Sequence, residues 1–191
     1  ASEIAAILAE APPVTPRMPR TGKPFSVRMS NAGPLGWVSD VAGYRYQPDH
    51  PETGRPWPAL PPTARAAWAA LAAYPAPPEA CLINLYAPGT RMGLHQDRDE
   101  ADLAAPVVSL SLGAAALFRY GGLSRSGPTR SIRLQAGDAL VMGGASRLVF
   151  HGIDRLYADG DLLAAADGPA FLPPGGRCNL TLRRVTVPGP A

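Results

Sequence analysis

Short runs of alternating apolar and polar residues fill the chain from residue 80 onward. Their period of two is that of strands with one face toward a core. Turns of Gly, Pro and Asp separate the runs, which read "CLINLY", "PVVSLSL", "ALFRYG", "TRSIRLQ", "ALVMGG", "RLVFHGI" and "CNLTLRRVT". Many short strands at regular spacing favour an antiparallel sandwich or barrel, and the jelly roll is the leading candidate.

Two helical patterns precede this β-rich region. Residues 2–11, "SEIAAILAEA", carry apolar residues at helical spacing, and Ser2 is the expected N-cap. Residues 62–74, "PTARAAWAALAAY", begin with a proline that suits the first helical turn. The residues expected to face inward are Ile4, Ile7 and Leu8 in the first helix and Trp68, Leu71 and Ala72 in the second.

The rest of the N-terminal part is less regular. "FSVRMSN" (25–31) alternates and predicts a half-buried strand, whereas the proline-broken residues 12–24 predict a loop. Residues 32–62, rich in Gly, Pro and aromatics, predict an ordered but irregular surface arm. We therefore expect an α+β, mainly β protein, in which residues 1–79 pack on a core formed by residues 80–191.

Composition narrows the class of protein. The chain has 191 residues, of which 46% are hydrophobic and 17% charged, enough apolar residues to bury the core of one domain. We expect no membrane span and no secretory signal, because no apolar run is long enough and no basic segment leads into one. Cys81 and Cys178 are too few for a disulfide framework, which favours the cytoplasm. The net charge of +3 permits a polyanionic partner without indicating one, and we expect a monomer.

One histidine lies two residues before a carboxylate. In "LHQDRDE", His95 and Asp97 are at positions i and i+2, which point the same way on extended chain. His151, in "RLVFHGI", would share a strand face with Arg147 and Val149. Two imidazoles and one carboxylate suit Fe(II) and leave positions open for other ligands. A solvated loop histidine and a hydrogen-bonded core histidine are the alternatives, and the pattern leaves them open.

The run "RCNLTLR" has two chemically different faces. Its apolar face carries Cys178, Leu180 and Leu182, and its polar face carries Arg177, Asn179, Thr181 and Arg183. In "CLINLY", Asn84 and Tyr86 likewise share a face with Leu82. The polar face either meets water or lines a cavity in which two guanidinium groups hold a small dicarboxylate.

Taken together, these segments resemble the AlkB family of Fe(II)- and 2-oxoglutarate-dependent dioxygenases. The resemblance covers most of the chain, and HxD, the later His and RxNxxxR in that order are its most specific part. The matching segments are "FSVRMSNAGPLGW", "GYRYQP", "RPWPALP", "CLINLYAPG", "LHQDRDE", "PVVSLSLG", "FRYGGL", "GGASRLVFHGI" and "RCNLTLR". The resemblance implies a double-stranded β-helix (jelly-roll) core with N-terminal helices and a nucleotide-recognition arm.

The resemblance also implies a role for individual residues. The Fe(II) ligands, which form the catalytic set, would be His95, Asp97 and His151. The 2-oxoglutarate contacts would be Arg177, Tyr86 and Asn179 at the distal carboxylate, with Arg183 and Asn84 at the carboxylate that chelates iron. The substrate contacts would be Trp37 as the stacking aromatic, Asp99 at the exocyclic amine of the base, and Tyr44, Arg125 and Met29 nearby.

The implied reaction is oxidative demethylation of N-alkylated bases, such as 1-methyladenine and 3-methylcytosine. With 2-oxoglutarate and O₂ it gives succinate, CO₂ and formaldehyde. The implied partner is alkylated DNA, single- or double-stranded, or RNA. Two alternatives stay open: the same chemistry on a non-nucleic-acid substrate, and a non-catalytic β-sandwich that binds an acid. The segment 152–176 looks longer than in compact bacterial members, which leaves the loop near the cofactor mouth undetermined.

Overall fold

A computed structural model describes residues 1–157 and 169–189. Helix α1 precedes three strands, α2 and a further eight strands, with one turn of 3₁₀ helix at Gly144–Ser146. The bounds are α1 Ser2–Glu10, β1 Arg28–Ala32, β2 Gly36–Asp40, β3 Gly43–Gln47, α2 Pro62–Leu71, β4 Ala80–Tyr86, β5 Met92–His95, β6 Val107–Gly113, β7 Ala116–Tyr120, β8 Arg130–Leu134, β9 Ala139–Met142, β10 His151–Leu156 and β11 Arg177–Arg183.

The strands form two antiparallel sheets and a separate hairpin. The major sheet has the order β1-β4-β11-β6-β9, the minor sheet β5-β10-β7-β8, and β2 pairs with β3. Side chains of both sheets meet in one core, with Tyr86 and Val107 from the major sheet and Phe118 and Ile153 from the minor. Two facing antiparallel sheets of this kind are the predicted jelly roll, and the prediction of a mainly β protein is confirmed.

Both helices cover the outer face of the major sheet. Ile4 and Ile7 of α1 and Trp68 of α2 pack in one cluster with Cys178 and Leu182 of β11. The apolar face of β11 thus points to the helices, as the period of two requires, and its polar face points between the sheets.

The predicted elements differ from the observed ones in several details. The N-cap of α1 is Ala1 rather than Ser2. Leu71, expected to face inward, is 41% exposed, whereas Trp68 and Ala72, one turn apart, face the core. The arm predicted as irregular contains the β2–β3 hairpin, and β1 begins three residues later than the predicted strand.

The prediction of a strand throughout "RLVFHGI" is wrong. Residues 144–146 form the 3₁₀ turn, and β10 begins only at His151. Arg147 therefore lies in a loop and does not share a strand face with His151. Part of the long segment 152–176 lies outside the described residues. Among the described helices, none is long and apolar enough to cross a membrane.

Candidate metal centre

Two histidines and an aspartate converge where β5 and β10 run side by side. His151, the first residue of β10, lies opposite His95, the last residue of β5, and Asp97 follows two residues later. The imidazole centroids are 4.5 Å apart. Nε2 of His95 is 3.6 Å from Asp97 Oδ1, and Nε2 of His151 is 3.7 Å from Asp97 Oδ2. One potential ligand atom from each residue thus lies within 4.8 Å of the other two.

A glycine allows the two strands to approach this closely. A Cβ atom on Gly152 would lie 2.4 Å from the carbonyl oxygen of Met92, closer than two such atoms can be. The β5–β10 register also shifts between His151 and Ile153. Glycine at this position therefore lets the strand that carries His151 lie against the strand that carries His95.

Both imidazoles are held by a carbonyl two residues earlier in the chain. Nδ1 of His95 donates to Gly93 O at 2.9 Å, and Nδ1 of His151 donates to Val149 O at 3.0 Å. With the proton on Nδ1, each Nε2 keeps its lone pair and faces Asp97. Burial lowers the pKa of His151 although Asp97 opposes the shift, and this direction favours the neutral ring that a metal ligand must be.

Asp97 is a buried carboxylate with one oxygen left without a partner. Burial by itself would raise its pKa, but Arg183 above all, with His151, His95 and Arg147, lowers the pKa of Asp97 to about 2. Oδ1 accepts from Arg183 Nη2 at 2.9 Å. Oδ2 is buried and has no hydrogen-bond partner. An ionised oxygen beside two imidazole lone pairs fits a divalent cation.

A network behind Asp97 was not predicted from the sequence. Glu100, whose side chain is fully buried, forms ion pairs with Arg183 at 3.2 Å and Arg147 at 3.0 Å. Tyr46 of β3 donates its hydroxyl hydrogen to Glu100 and accepts from Arg183 Nη1 at 2.9 Å. Burial by itself would lower the pKa of Arg183, yet Asp97, Tyr46 and Glu100 raise it well above its usual value. Only one sequence feature pointed to a role for Tyr46 in the site: at position i+2 from Tyr44, it shares a strand face with that residue.

A second buried guanidinium lies at the other end of β11. Arg177 is 0% exposed, and its Nη atoms donate to Ser111 Oγ at 2.7 Å and Ala114 O at 3.0 Å. Tyr86 lies opposite Arg177, and Asn84 lies opposite Asn179. The interpretation that this face of β11 meets water is therefore wrong. Burial lowers the pKa of Arg177, while Tyr86 opposes the shift.

Several buried polar atoms of this face lack hydrogen-bond partners among the described residues. They are Asn84 Oδ1, Arg177 Nε, Asn179 Oδ1 and Arg183 Nε. Unpaired buried polar groups are costly unless a ligand satisfies them. All four belong to the set implied for 2-oxoglutarate, and two are donors on guanidinium groups that suit carboxylates.

Aromatic residues of the β2–β3 hairpin lie beside residues 96–106, the loop after β5 that carries Asp97 and is called the metal loop below. The indole of Trp37 stacks on Tyr44, with ring centroids 5.5 Å apart and planes 19° from parallel. Trp37 Nε1 donates to Asp99 Oδ2 at 2.8 Å. Arg125 donates to Leu94 O, next to His95. The structure thus brings Trp37, Tyr44 and Asp99 together.

Met29 differs from the other residues assigned to the substrate. It lies opposite Asn84 in the major sheet and is 3% exposed. Its side chain packs in the core between the sheets. From this position Met29 borders the inner polar face.

This combination of features is typical of an oxygenase that uses Fe(II) and 2-oxoglutarate. The fold is a jelly roll, two histidines and one carboxylate meet at adjoining strand ends, and β11 carries a buried arginine. The family model of the 2OG-Fe(II) oxygenase superfamily matches residues 1–183. The chain belongs to this superfamily and, within it, to the AlkB family.

The first two of the following comparisons support this assignment, and the third covers a smaller part of both chains. An alpha-ketoglutarate-dependent dioxygenase AlkB homolog of Caulobacter vibrioides is 54% identical over 163 residues, which cover 85% of this chain and 70% of the homolog. The solved structure of OsALKBH1 superimposes with a TM-score of 0.73 at 31% identity, covering 91% of this chain and 84% of that one. A DNA N(6)-methyladenine demethylase of Arabidopsis thaliana, ALKBH1C, is 39% identical over 111 residues, 56% of this chain and 24% of its own length.

Proposed function

We propose that this enzyme removes methyl groups oxidatively from N-alkylated nucleobases, with 1-methyladenine and 3-methylcytosine as substrates. The observation that carries the proposal is the aromatic pair Trp37–Tyr44, which Asp99 ties to the loop holding Asp97. The AlkB family uses Fe(II), 2-oxoglutarate and O₂. Of the two alternatives left by the sequence, family membership argues against the non-catalytic acid-binding sandwich, whereas the same chemistry on a non-nucleic-acid substrate stays open.

The proposed iron ligands are His95, Asp97 and His151. Held by these residues, iron would supply, with 2-oxoglutarate and O₂, the oxidation that hydroxylates the methyl group and leaves succinate and CO₂, and the hydroxymethyl product would lose formaldehyde. The charges around the proposed iron position are balanced, because the two negative charges of Asp97 and Glu100 pair with the two positive charges of Arg147 and Arg183. A divalent cation and a dianionic co-substrate then enter together without adding net charge to a buried site.

The proposed co-substrate site lies along the polar face of β11. Arg177, with Tyr86 and Asn179, would hold the distal carboxylate of 2-oxoglutarate through the free Nε–H of the guanidinium. Arg183 and Asn84 would meet the other carboxylate. Both terminal nitrogens of Arg183 already bond within the protein, so its unpartnered Nε–H is the donor left for that contact.

The proposed base site is bounded by Trp37, Tyr44 and Asp99. A methylated base must leave the helix to reach the iron, which is easiest when the adduct already blocks pairing. 1-Methyladenine and 3-methylcytosine carry a positive charge, and an indole face with a nearby carboxylate stabilises such a ring. Tyr44 is 50% exposed, so the aromatic pair is open to solvent.

The charge distribution supports a nucleic-acid partner. Residues 11–39 contain four basic residues and no acid, and all four side chains are exposed: Arg17, Arg20, Lys23 and Arg28. This segment runs directly into the hairpin that carries Trp37. Phosphate contacts from exposed basic side chains supply most of the sequence-independent affinity for DNA or RNA. We therefore propose DNA as the substrate, single- or double-stranded, with RNA as a second possibility.

Three predictions from the sequence stay predictions. They are the division at residue 79, the monomeric state and the cytoplasmic location. The free, buried thiols of Cys81 and Cys178 support a reducing compartment.

A panel of oligonucleotides tests the proposed substrate. The protein, loaded with Fe(II) and 2-oxoglutarate in air, is incubated with DNA or RNA strands that carry one 1-methyladenine or one 3-methylcytosine. Mass spectrometry should show loss of the methyl group together with formation of succinate. Unmethylated strands of the same sequence are the control. Succinate without demethylation of any strand would favour a non-nucleic-acid substrate.

A further inference from the structure

We infer that Arg147 is a positioning residue that fixes Asp97 relative to His151, with Gln96 as its counterpart. This inference rests on the proposed metal site. Asp97 lies outside regular structure, two residues beyond the end of β5, and β10 begins only at His151. The sheet hydrogen bonds that hold His95 and His151 therefore do not hold Asp97.

The guanidinium of Arg147 spans the loop that carries Asp97. Its Nη1 donates to the carbonyl oxygen of Asp97 at 2.5 Å, and Nη2 donates to Glu100 Oε2 at 3.0 Å. Its Nε donates to Ala105 O at 2.8 Å. Three donors on one planar group thus reach three acceptors in residues 97–105. Only the fork of an arginine offers this geometry, since a lysine presents a single nitrogen.

Gln96 makes a contact in the opposite direction. Its Nε2 donates to the carbonyl oxygen of Leu148 at 2.5 Å, so a side chain next to Asp97 holds the backbone between Arg147 and His151. Each loop therefore donates a side chain to a main-chain carbonyl of the other. The loop that carries Asp97 and the loop that leads into His151 are thus held together independently of any metal.

A tight turn places Arg147 for this contact. Ser146 Oγ accepts from Gly143 N at 3.1 Å, and the Arg147 amide donates to Gly144 O at 3.1 Å. The turn directs the Arg147 side chain inward, where the residue is 3% exposed. A buried arginine is costly unless its donors are satisfied. The three acceptors that satisfy Arg147 all lie in the metal loop, on Asp97, Glu100 and Ala105.

A purely structural role for Arg147 is the competing explanation. If Arg147 serves only to neutralise the charge of Glu100, a lysine in its place will lower the stability of the protein somewhat and leave its metal affinity unchanged. Arg184 offers a matched control, because its guanidinium also bonds a largely buried carboxylate, Glu79, at 3.4 Å, and its other partners are Pro77 and Thr186. Arg147→Lys and Arg184→Lys each keep the positive charge and remove the several donors of the guanidinium group, one beside Asp97 and the other beside Glu79.

The test is titration of the whole apoprotein with Co(II), a redox-stable probe, followed by calorimetry and by the visible Co(II) absorption, beside a thermal melt of each variant. Arg147→Lys should weaken Co(II) binding about ten- to a hundredfold, as loss of groups that orient metal ligands does. Gln96→Ala should weaken it about fivefold, as expected for one net hydrogen bond. Arg184→Lys should bind Co(II) as the wild type does.

Unchanged Co(II) affinity in Arg147→Lys, or equal weakening in Arg184→Lys, would overturn the inference. If Arg147→Lys does not fold, Gln96→Ala decides in the same way, because it removes one half-buried amide and no charge. The proposed metal site is checked separately. If the wild type binds no Co(II), or His151→Ala binds as tightly as the wild type, the site itself is wrong.

Discussion

Asp97 and Arg183 form a buried ion pair, in which Oδ1 of the carboxylate and Nη2 of the guanidinium are 2.9 Å apart. The pair orients the carboxylate with its second oxygen toward His151 and without a partner. The arginine thus keeps the ligand ionised and turned toward the metal position while leaving one oxygen free to bind.

Asp97→Asn tests this arrangement. The amide has nearly the same shape but lacks the charge that would bind the cation, so Co(II) affinity should fall by more than the about ten- to hundredfold that loss of a group behind a metal ligand costs. Asp99→Asn, two residues further along the same loop, is the control and should leave metal affinity unchanged. Similar losses in both variants would mean that loop charge, rather than ligation by Asp97, governs binding.

Arg177→Ala removes the proposed partner of the distal carboxylate of 2-oxoglutarate. Loss of a buried, charge-assisted contact costs about 2–5 kcal/mol, so the KM for 2-oxoglutarate should rise well over tenfold. Arg184→Ala lies outside the site and should change this KM little, as steady-state succinate assays will show. Equal effects from the two arginines would contradict the assignment of the polar face of β11.

Trp37→Ala should separate the two half-reactions. Loss of a stacking surface worth roughly 1–3 kcal/mol should slow demethylation of a methylated oligonucleotide about ten- to a hundredfold. Slow decarboxylation of 2-oxoglutarate without substrate should stay near wild type, because Trp37 makes its hydrogen bonds to Asn31 and Asp99 rather than to the proposed iron or 2-oxoglutarate residues. Trp37→Phe keeps a ring but loses the bond to Asp99, so it distinguishes stacking from hydrogen bonding. If packing is the role of Trp37, both rates fall together and the melting temperature drops.

Tyr46→Phe tests the hydrogen bonds that join the β2–β3 hairpin to the buried groups Glu100 and Arg183. The hydroxyl bridges Glu100 and Arg183 in a buried network, and its loss leaves these groups partly unsatisfied. The free energy of unfolding in urea should fall by about 1–3 kcal/mol. The hydroxyl of half-exposed Tyr44 is the control, and Tyr44→Phe should cost less than about 0.5 kcal/mol. Equal costs would show that Tyr46 adds no specific tie.

Local patterns were sufficient to predict much of the fold. The period of two in the C-terminal half predicts the strands, and the same period separates Arg177 and Arg183 from Cys178 and Leu182. Periodicity could not tell a polar face toward water from one toward a cavity, because that depends on the sheet lying opposite. The error at Leu71 has a different origin, because the buried face of α2 follows Ala64, Trp68 and Ala72 at a spacing of four residues and leaves Leu71 beside it.

The parts of the site that were not predicted depend on contacts between distant segments. Glu100 and Arg147 are far apart in sequence, and neither shows a local pattern that distinguishes it from an exposed charge. The sequence predicts strand up to His151 because apolar residues continue through 148–150, whereas the 3₁₀ helix Gly144–Ser146 leads into a turn there. The residues that the resemblance supplied are those proposed to bind iron, 2-oxoglutarate or the base, whereas Glu100 and Arg147, which it left out, contact the loop that carries Asp97.

The central claim is most directly tested by counting products in a single reaction mixture. The wild type, with Fe(II), 2-oxoglutarate, O₂ and an excess of a strand that carries 1-methyladenine, should form one succinate and one formaldehyde for each adenine restored. His151→Ala, which lacks one proposed iron ligand, should form less than about a tenth of the wild-type succinate, as a loss of more than 1.4 kcal/mol in transition-state stabilisation implies. Succinate formed by the wild type with 1-methyladenine left intact, or by His151→Ala at the wild-type rate, would contradict the account.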